Sequence, residues 1–190
     1  MTRFNHERLN EMHKLSLSNQ RERASRQKFK WTPIRFGRYE GLIIPEIVWR
    51  DISYFYWALS QDVFRGELEH QARIVAGRAA HILPPGGDDN FEFVIERNKR
   101  GKLMKIAILK KRTRSRARDR LVTRCRHLDL AIIDEFYASC RRDAAEKLLE
   151  CLKLAFFFRP RVKLSESDCE RFFEDDDNFD IYCSADHSTL

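Results

Sequence analysis

The chain has 190 residues, a length that suits one domain with a small appendage. A hydrophobic fraction of 43%, with 14 Phe and 3 Trp, supplies enough apolar surface to exclude global disorder, and Lys and Arg outnumber Asp and Glu by 36 to 29, a formal net charge of +7. No apolar run approaches the roughly 18 residues of a membrane span, and Met1 to Glu7 has no apolar segment behind it, so a cytoplasmic protein without membrane contact is expected.

Residues 1–30 are polar and basic, with Leu9, Met12 and Leu15 marking a weak helical stripe; they predict a basic arm, helical or mobile. At Trp31-Thr32-Pro33 the character changes, and a single α+β domain is expected over residues 31–173. Ile34-Arg35-Phe36 and Leu42-Ile43-Ile44 read as short strands around a turn from Gly37 to Gly41, because glycine supplies the positive φ of tight turns. Pro45 suits the first turn of a helix reaching Arg50. Asp51 suits the cap of the next helix, from Ile52 to Ser60, which carries Tyr54, Phe55, Tyr56 and Trp57. A third helix, from Glu67 to His81, sets Leu68, Ala72, Val75, Ala76 and Ala79 on one side before Pro84-Pro85-Gly86-Gly87 ends it.

Alternation and β-branched content predict strands at residues 91–95 and 103–109, joined through Asn98-Lys99-Arg100-Gly101. Residues 110–120 hold almost no apolar side chain and read as a solvated basic loop, while residues 121–137 are ambiguous. Residues 143–157 form an amphipathic pattern through Ala144, Leu148, Cys151, Leu152 and Ala155, closed by Phe156-Phe157-Phe158 and Pro160. Ser165 with Asp168 matches a capping box in which Asp replaces Glu or Gln, opening a short helix to Phe173. Residues 174–190 read as a frayed acidic tail. The expected architecture is thus small hairpins packed on several helices, with a basic loop and an acidic C-terminal tail.

The ordered run of Phe36, Gly37, Tyr39 and Gly41, an apolar pair at Leu42-Ile43, then Pro45 and an aromatic helix with Trp57, carries a resemblance. It is similar to the small domain with an FGKYKG pattern at the C-terminus of exodeoxyribonuclease-ten-like proteins, which also stands alone in short bacterial and phage proteins. The resemblance covers residues 33–60 and implies an accessory role near DNA without an activity of its own. The family's second lysine is Glu40 here, and the acidic residues of the nuclease domain that accompanies this module elsewhere have no counterpart at this N-terminus.

Charge is segregated along the chain. Fourteen Lys and Arg stand against one acid, Asp119, between Arg97 and Arg126, while nine Asp and Glu stand against one Arg, Arg171, from Ser165 onward. Such division speaks of partners. Lys110, Lys111, Arg112, Arg114, Arg116 and Arg118 are the strongest candidates for phosphate contact, since the guanidinium fork donates two parallel hydrogen bonds to phosphate. Arg97, Lys99, Arg100, Lys102 and Lys105 are expected to extend the same cationic surface. Arg35, Arg38 and Tyr39 are secondary candidates at the glycine turn. Tyr54 and Trp57 have the chemistry to stack a base, but aromatics at helical spacing are expected in the core.

Catalytic candidates are thinner. Asp88, Asp89, Glu92 and Glu96 with Lys105 or Lys110 superficially resemble a metal-dependent nuclease core, without the tight acid-x-lysine spacing on one strand. Residues 174–177 offer carboxylates of the kind that hold a hard cation. The five cysteines, Cys125, Cys140, Cys151, Cys169 and Cys183, contain no CxxC pair and are expected to be reduced thiols; Cys125 and His127 lack the close companions of structural zinc. The six histidines show no metal spacing. The reading that follows is a nucleic-acid-binding or accessory protein without catalysis and without a cofactor, its partner DNA more than RNA, or another polyanion. A metal-dependent nuclease, and an adaptor that binds protein partners through a polyanion-like acidic tail, are the alternatives.

Overall fold

Ile44, Pro45, Ile47, Val48 and Trp49 are all buried on one short helix, which places that helix in the core of its unit. The computed structural model describes residues 29–86, 90–111, 121–138, 142–158 and 163–180. Contacts divide the chain into two units, Met1–Lys30 and Trp31–Leu190, and every element below belongs to the second. The fold is α+β, with six α-helices and one three-stranded antiparallel sheet among the described residues.

The loop that precedes the central helix is tied to itself. Ile34 donates its N–H to Leu42 (2.8 Å) and accepts from the Gly41 N–H (2.8 Å), which closes the loop around a single 3-10 turn at Gly37–Tyr39. Expected strands on either side do not form, because Ile34 alone supplies the pairing and no ladder extends from it. Gly37 and Gly41 hold φ of +68° and +84°, the left-handed conformations that glycine adopts at little cost.

Helix α1 (Ile44–Arg50) begins where Glu46 accepts the orphan Ile43 N–H at 3.2 Å. Helix α2 (Ile52–Ser60) is capped by Asp51, whose Oδ1 accepts the Tyr54 N–H at 2.9 Å. Along α2, Ile52, Phe55 and Ala58 are fully buried. Trp57 lies two residues from Phe55, about 200° around the helix, and is 54% exposed. The expectation that Tyr54 and Trp57 form core therefore fails for Trp57 and is met only halfway by the half-buried Tyr54: helical periodicity gives the inward stripe to Ile52, Phe55 and Ala58. Helix α3 (Glu67–Ala79) buries Gln71, Ala72, Val75 and Ala79. Gln71 is held by Thr32 and Glu67, so its buried amide has partners.

Strand β1 (Phe91–Arg97) is the middle strand, with β2 (Leu103–Lys110) and β3 (Leu121–Cys125) on its two sides. Phe91 pairs with Lys110 and Arg97 with Leu103, with a register shift at Glu96/Arg97; on the other side Phe93 pairs with Cys125 and Arg97 with Leu121. Both outer strands therefore run away from the β1–β2 turn. The ambiguous stretch 121–137 resolves into β3 and helix α4 (Ile132–Ala138), and helix α5 (Arg142–Phe157) follows.

Helix α6 (Glu166–Glu174) opens on the expected capping box: Ser165 Oγ accepts from the Asp168 N–H (3.2 Å) and Asp168 accepts from the Ser165 N–H (3.3 Å). Around α1 the aromatic residues gather. Trp49 meets Phe157 at 5.1 Å and Phe172 at 5.0 Å, and Phe172 meets Phe156 at 5.2 Å and Phe179 at 5.4 Å. Phe158, next in the run, is 61% exposed.

The first residues expected in a frayed tail are built into this core instead. Phe179 and Asp180 are 4% and 2% exposed, and Asp176–Asn178 forms a 3-10 turn. Ile82 bridges Leu128 on one side and Phe179 on the other, and the Asp180 N–H donates to His81 O at 2.8 Å. Burial of Phe179 and the backbone pairing of residues 178–180 outweigh the cost of ordering the acidic stretch.

Candidate nucleic-acid interface

The turn between β1 and β2 is the best-defined cationic feature. Asn98 N–H donates to Lys102 O (2.9 Å) and Gly101 N–H to Asn98 O (2.9 Å), while Asn98 Oδ1 accepts from the backbone N–H groups of Arg100 and Lys102 (both 2.9 Å). An asparagine side chain that bonds the backbone two and four residues ahead fixes such a turn. Gly101 takes φ of +77°, and Arg97 donates from an amino nitrogen to Gly101 O at 3.1 Å. Lys99, Arg100 and Lys102 are carried, exposed, on this hydrogen-bonded frame.

Farther along the sheet the cations meet carboxylates. The register sets Lys105 opposite Glu96, which is 7% exposed. Arg124, on β3, forms an ion pair with Glu92. At the far end Lys110 and Lys111 are exposed, and the Lys111 N–H donates to Asn90 O at 3.0 Å. Lys99, Arg100 and Lys102 thus stand at one end of the sheet and Lys110 and Lys111 at the other, with exposed Lys105 between them. Six residue steps along β1 separate the two ends, about 20 Å at strand spacing. Arg112, Arg114, Arg116 and Arg118 lie outside the described residues.

The glycine-turn candidates are organised by Asp51. Its Oδ2 accepts from Tyr39 Oη at 2.6 Å and forms an ion pair with Arg38. The Arg38 guanidinium lies 4.6 Å from the Tyr39 ring centre and 5.2 Å from that of Tyr54. Tyr39 is 9% exposed, and its hydroxyl is pushed up to about 12 by burial and by the Asp51 carboxylate that it bonds. Tyr39 is thus a structural pin, Arg38 is partly committed to Asp51, and Arg35 is exposed on the loop.

The carboxylates read as metal candidates are dispersed or engaged. Asp88 and Asp89 lie outside the described residues, and Glu92 accepts from Arg124. Glu174 accepts from Trp31 Nε1 at 3.2 Å, Asp175 caps the 3-10 turn by accepting from the Asp177 N–H (3.2 Å), and Asp176 pairs with Arg78 at 2.7 Å. Among the described residues no group of three His, Cys, Asp or Glu is placed to hold a metal ion, and no helix is long and apolar enough to cross a membrane.

One constellation escaped sequence reasoning. His81 and His127, 46 residues apart, meet at a tilt of 51° with ring centres 4.9 Å apart, and Asp180 lies 3.7 Å from His127 Nδ1 and 3.3 Å from Arg126 Nε. The pairing of Ile82 with Leu128 and Phe179, with the Asp180 N–H to His81 O bond, brings these three segments together. Comparison with known proteins finds no matching family model, no matching curated protein and no matching solved structure.

Proposed function

We propose that the protein binds nucleic acid, DNA in preference to RNA, as an accessory module without catalysis of its own. The observation that carries the reading is the β1–β2 turn, whose Asn98 frame holds Lys99, Arg100 and Lys102 outward before any ligand arrives. A preorganised cation cluster saves the ordering cost that a flexible lysine tail meets on binding. At the other end of β2 stand Lys110 and Lys111, followed in sequence by the arginines of residues 112–120, and Arg35 and Arg38 lie at the glycine turn.

The nuclease alternative would draw on Asp88, Asp89, Glu92 and Glu96 with Lys105 or Lys110, and Glu92 already forms an ion pair with Arg124. The adaptor alternative would draw on acids at 174–180, of which Asp176 and Asp180 already serve Arg78 and Arg126.

Salt-titrated binding of duplex DNA, single-stranded DNA, RNA and heparin tests the reading. Affinity should fall with salt at a log–log slope near −0.9 per duplex phosphate neutralised, and Lys99→Gln/Arg100→Gln/Lys102→Gln should weaken binding and flatten that slope together. Failure to bind every polyanion at low salt would overturn it, and Mg²⁺-dependent cleavage would favour the nuclease.

A further inference from the structure

Trp57 is the most exposed tryptophan of the chain, at 54%, against 7% for Trp31 and 1% for Trp49. Its ring is not isolated. It leans on Tyr54 with centres 5.6 Å apart and planes tilted by 41°, and Tyr54 in turn meets Tyr39 edge-on at 4.7 Å. Tyr39 is fixed by its bond to Asp51, and the Arg38 guanidinium covers both tyrosines. The result is a graded array: a buried, hydrogen-bonded tyrosine, a half-buried one, and an exposed indole at the outer end, with a cation beside them that is itself 62% exposed.

We infer that this array is a stacking platform for an unpaired nucleobase of single-stranded nucleic acid, with Trp57 as the stacking face and Arg38 beside it for the adjoining phosphate. The inference rests on the nucleic-acid-binding reading and deepens it. Every base offers a π-face, so a supported indole accepts a base without regard to sequence, and an arginine stacked on aromatic rings still presents donors at its edge. Charge selects this occupant over an apolar one. A hydrophobic segment or a second copy laid across Trp57 would strip water from Arg38, whose side chain stays 62% exposed beside its ion pair with Asp51. A polynucleotide replaces that water with phosphate oxygen. A duplex keeps its bases stacked inside and gains nothing from the indole.

The test uses the full chain with a 15-nucleotide oligo-dT and a duplex of equal length, read by anisotropy and by acrylamide quenching of tryptophan emission. Trp57 dominates accessible quenching, so oligo-dT should shield it while the duplex should not. Trp57→Ala should lower oligo-dT affinity by about 5- to 150-fold, Trp57→Phe should retain most of it, and duplex affinity should stay within twofold in both. Because Trp57 is exposed, both variants should keep the wild-type melting midpoint; the quenching experiment on the wild-type chain decides the matter should one of them fail to fold. Unchanged oligo-dT affinity in a folded Trp57→Ala, or duplex binding without oligo-dT binding, overturns the platform and leaves the binder reading standing. Loss of self-association in Trp57→Ala with unchanged oligo-dT binding assigns the surface to a second copy and also overturns it. If the wild-type chain binds no polyanion at all, both fall.

Discussion

Asp51 Oδ2 accepts the Tyr39 hydroxyl at 2.6 Å while Asp51 Oδ1 accepts the Tyr54 N–H at 2.9 Å, so one carboxylate both starts α2 and pins the glycine turn to it. Asp51→Ala removes a helix cap and leaves a half-desolvated phenol without its acceptor, for a combined cost of about 2–3 kcal/mol. Asp51→Asn keeps a capping oxygen and should lose about half as much. Urea denaturation of both variants, with Tyr39→Phe to complete a double-mutant cycle, measures the coupling.

Gly37 and Gly41 have open space where a Cβ would sit, so their requirement for glycine is one of backbone alone. At φ of +68° and +84° an L-alanine is strained, and each substitution should destabilise by about 1 kcal/mol. A D-alanine introduced by chemical ligation should relieve that cost. Equal midpoints for wild type and both L-alanine variants would contradict the assigned turn.

Chain termination after Phe173 should abolish cooperative folding, whereas termination after Asp180 should leave it. The first removes Phe179, 4% exposed and within 6 Å of Phe172 and Phe173 by ring centre, together with the backbone bonds to His81 and Leu83. Phe179→Ala alone should cost about 3–5 kcal/mol. Circular dichroism melts of the three chains decide the point.

Alkaline stability should carry the signature of Tyr39. Its folded value of about 12 exceeds the ordinary 10, so the folded chain keeps a proton that the unfolded chain releases. The stabilisation is complete below pH 10 and is lost between pH 10 and 12. Cys169, buried and pushed up to about 12 from 9.0, adds the same sign from pH 9 upward. Tyr39→Phe should flatten the decline above pH 10 and leave the Cys169 contribution; identical slopes would count against the buried phenol.

Thiol labelling at pH 8 should proceed in the order of exposure. Cys151 is exposed, Cys125 is half-buried with its thiol held up by desolvation, and Cys169 is buried. Thiolate is the reacting form, so among the described cysteines Cys151 should be modified first and Cys169 only on unfolding, as peptide mapping would show.

Local chemistry made much of this fold readable. Asp51 before an aromatic helix, Ser165 three residues before Asp168, and the alternation at residues 91–110 each have a short-range cause, and each appears where the chain announced it. What escaped was non-local. Nothing near Asp180 in sequence says that Ile82 will pair with Phe179 and draw the acids into the core. Aromatic density along the helix hides its phase, so Trp57 reads as core although Ile52, Phe55 and Ala58 hold the inward stripe. For the interface, the cationic turn was legible from composition, but the approach of Glu92 to Arg124 and of Glu96 to Lys105 depends on strand register.

The antiparallel register also fixes a ruler. Lys99, Arg100 and Lys102 stand at one end of β1, and Lys110 and Lys111 at the other, about 20 Å away. At 3.4 Å per nucleotide pair, a rigid duplex must be about six pairs long before one molecule touches both ends. If the proposed binding holds, shorter duplexes would engage a single cluster, so affinity plotted against duplex length should rise in a step near that value and gain only slowly beyond it.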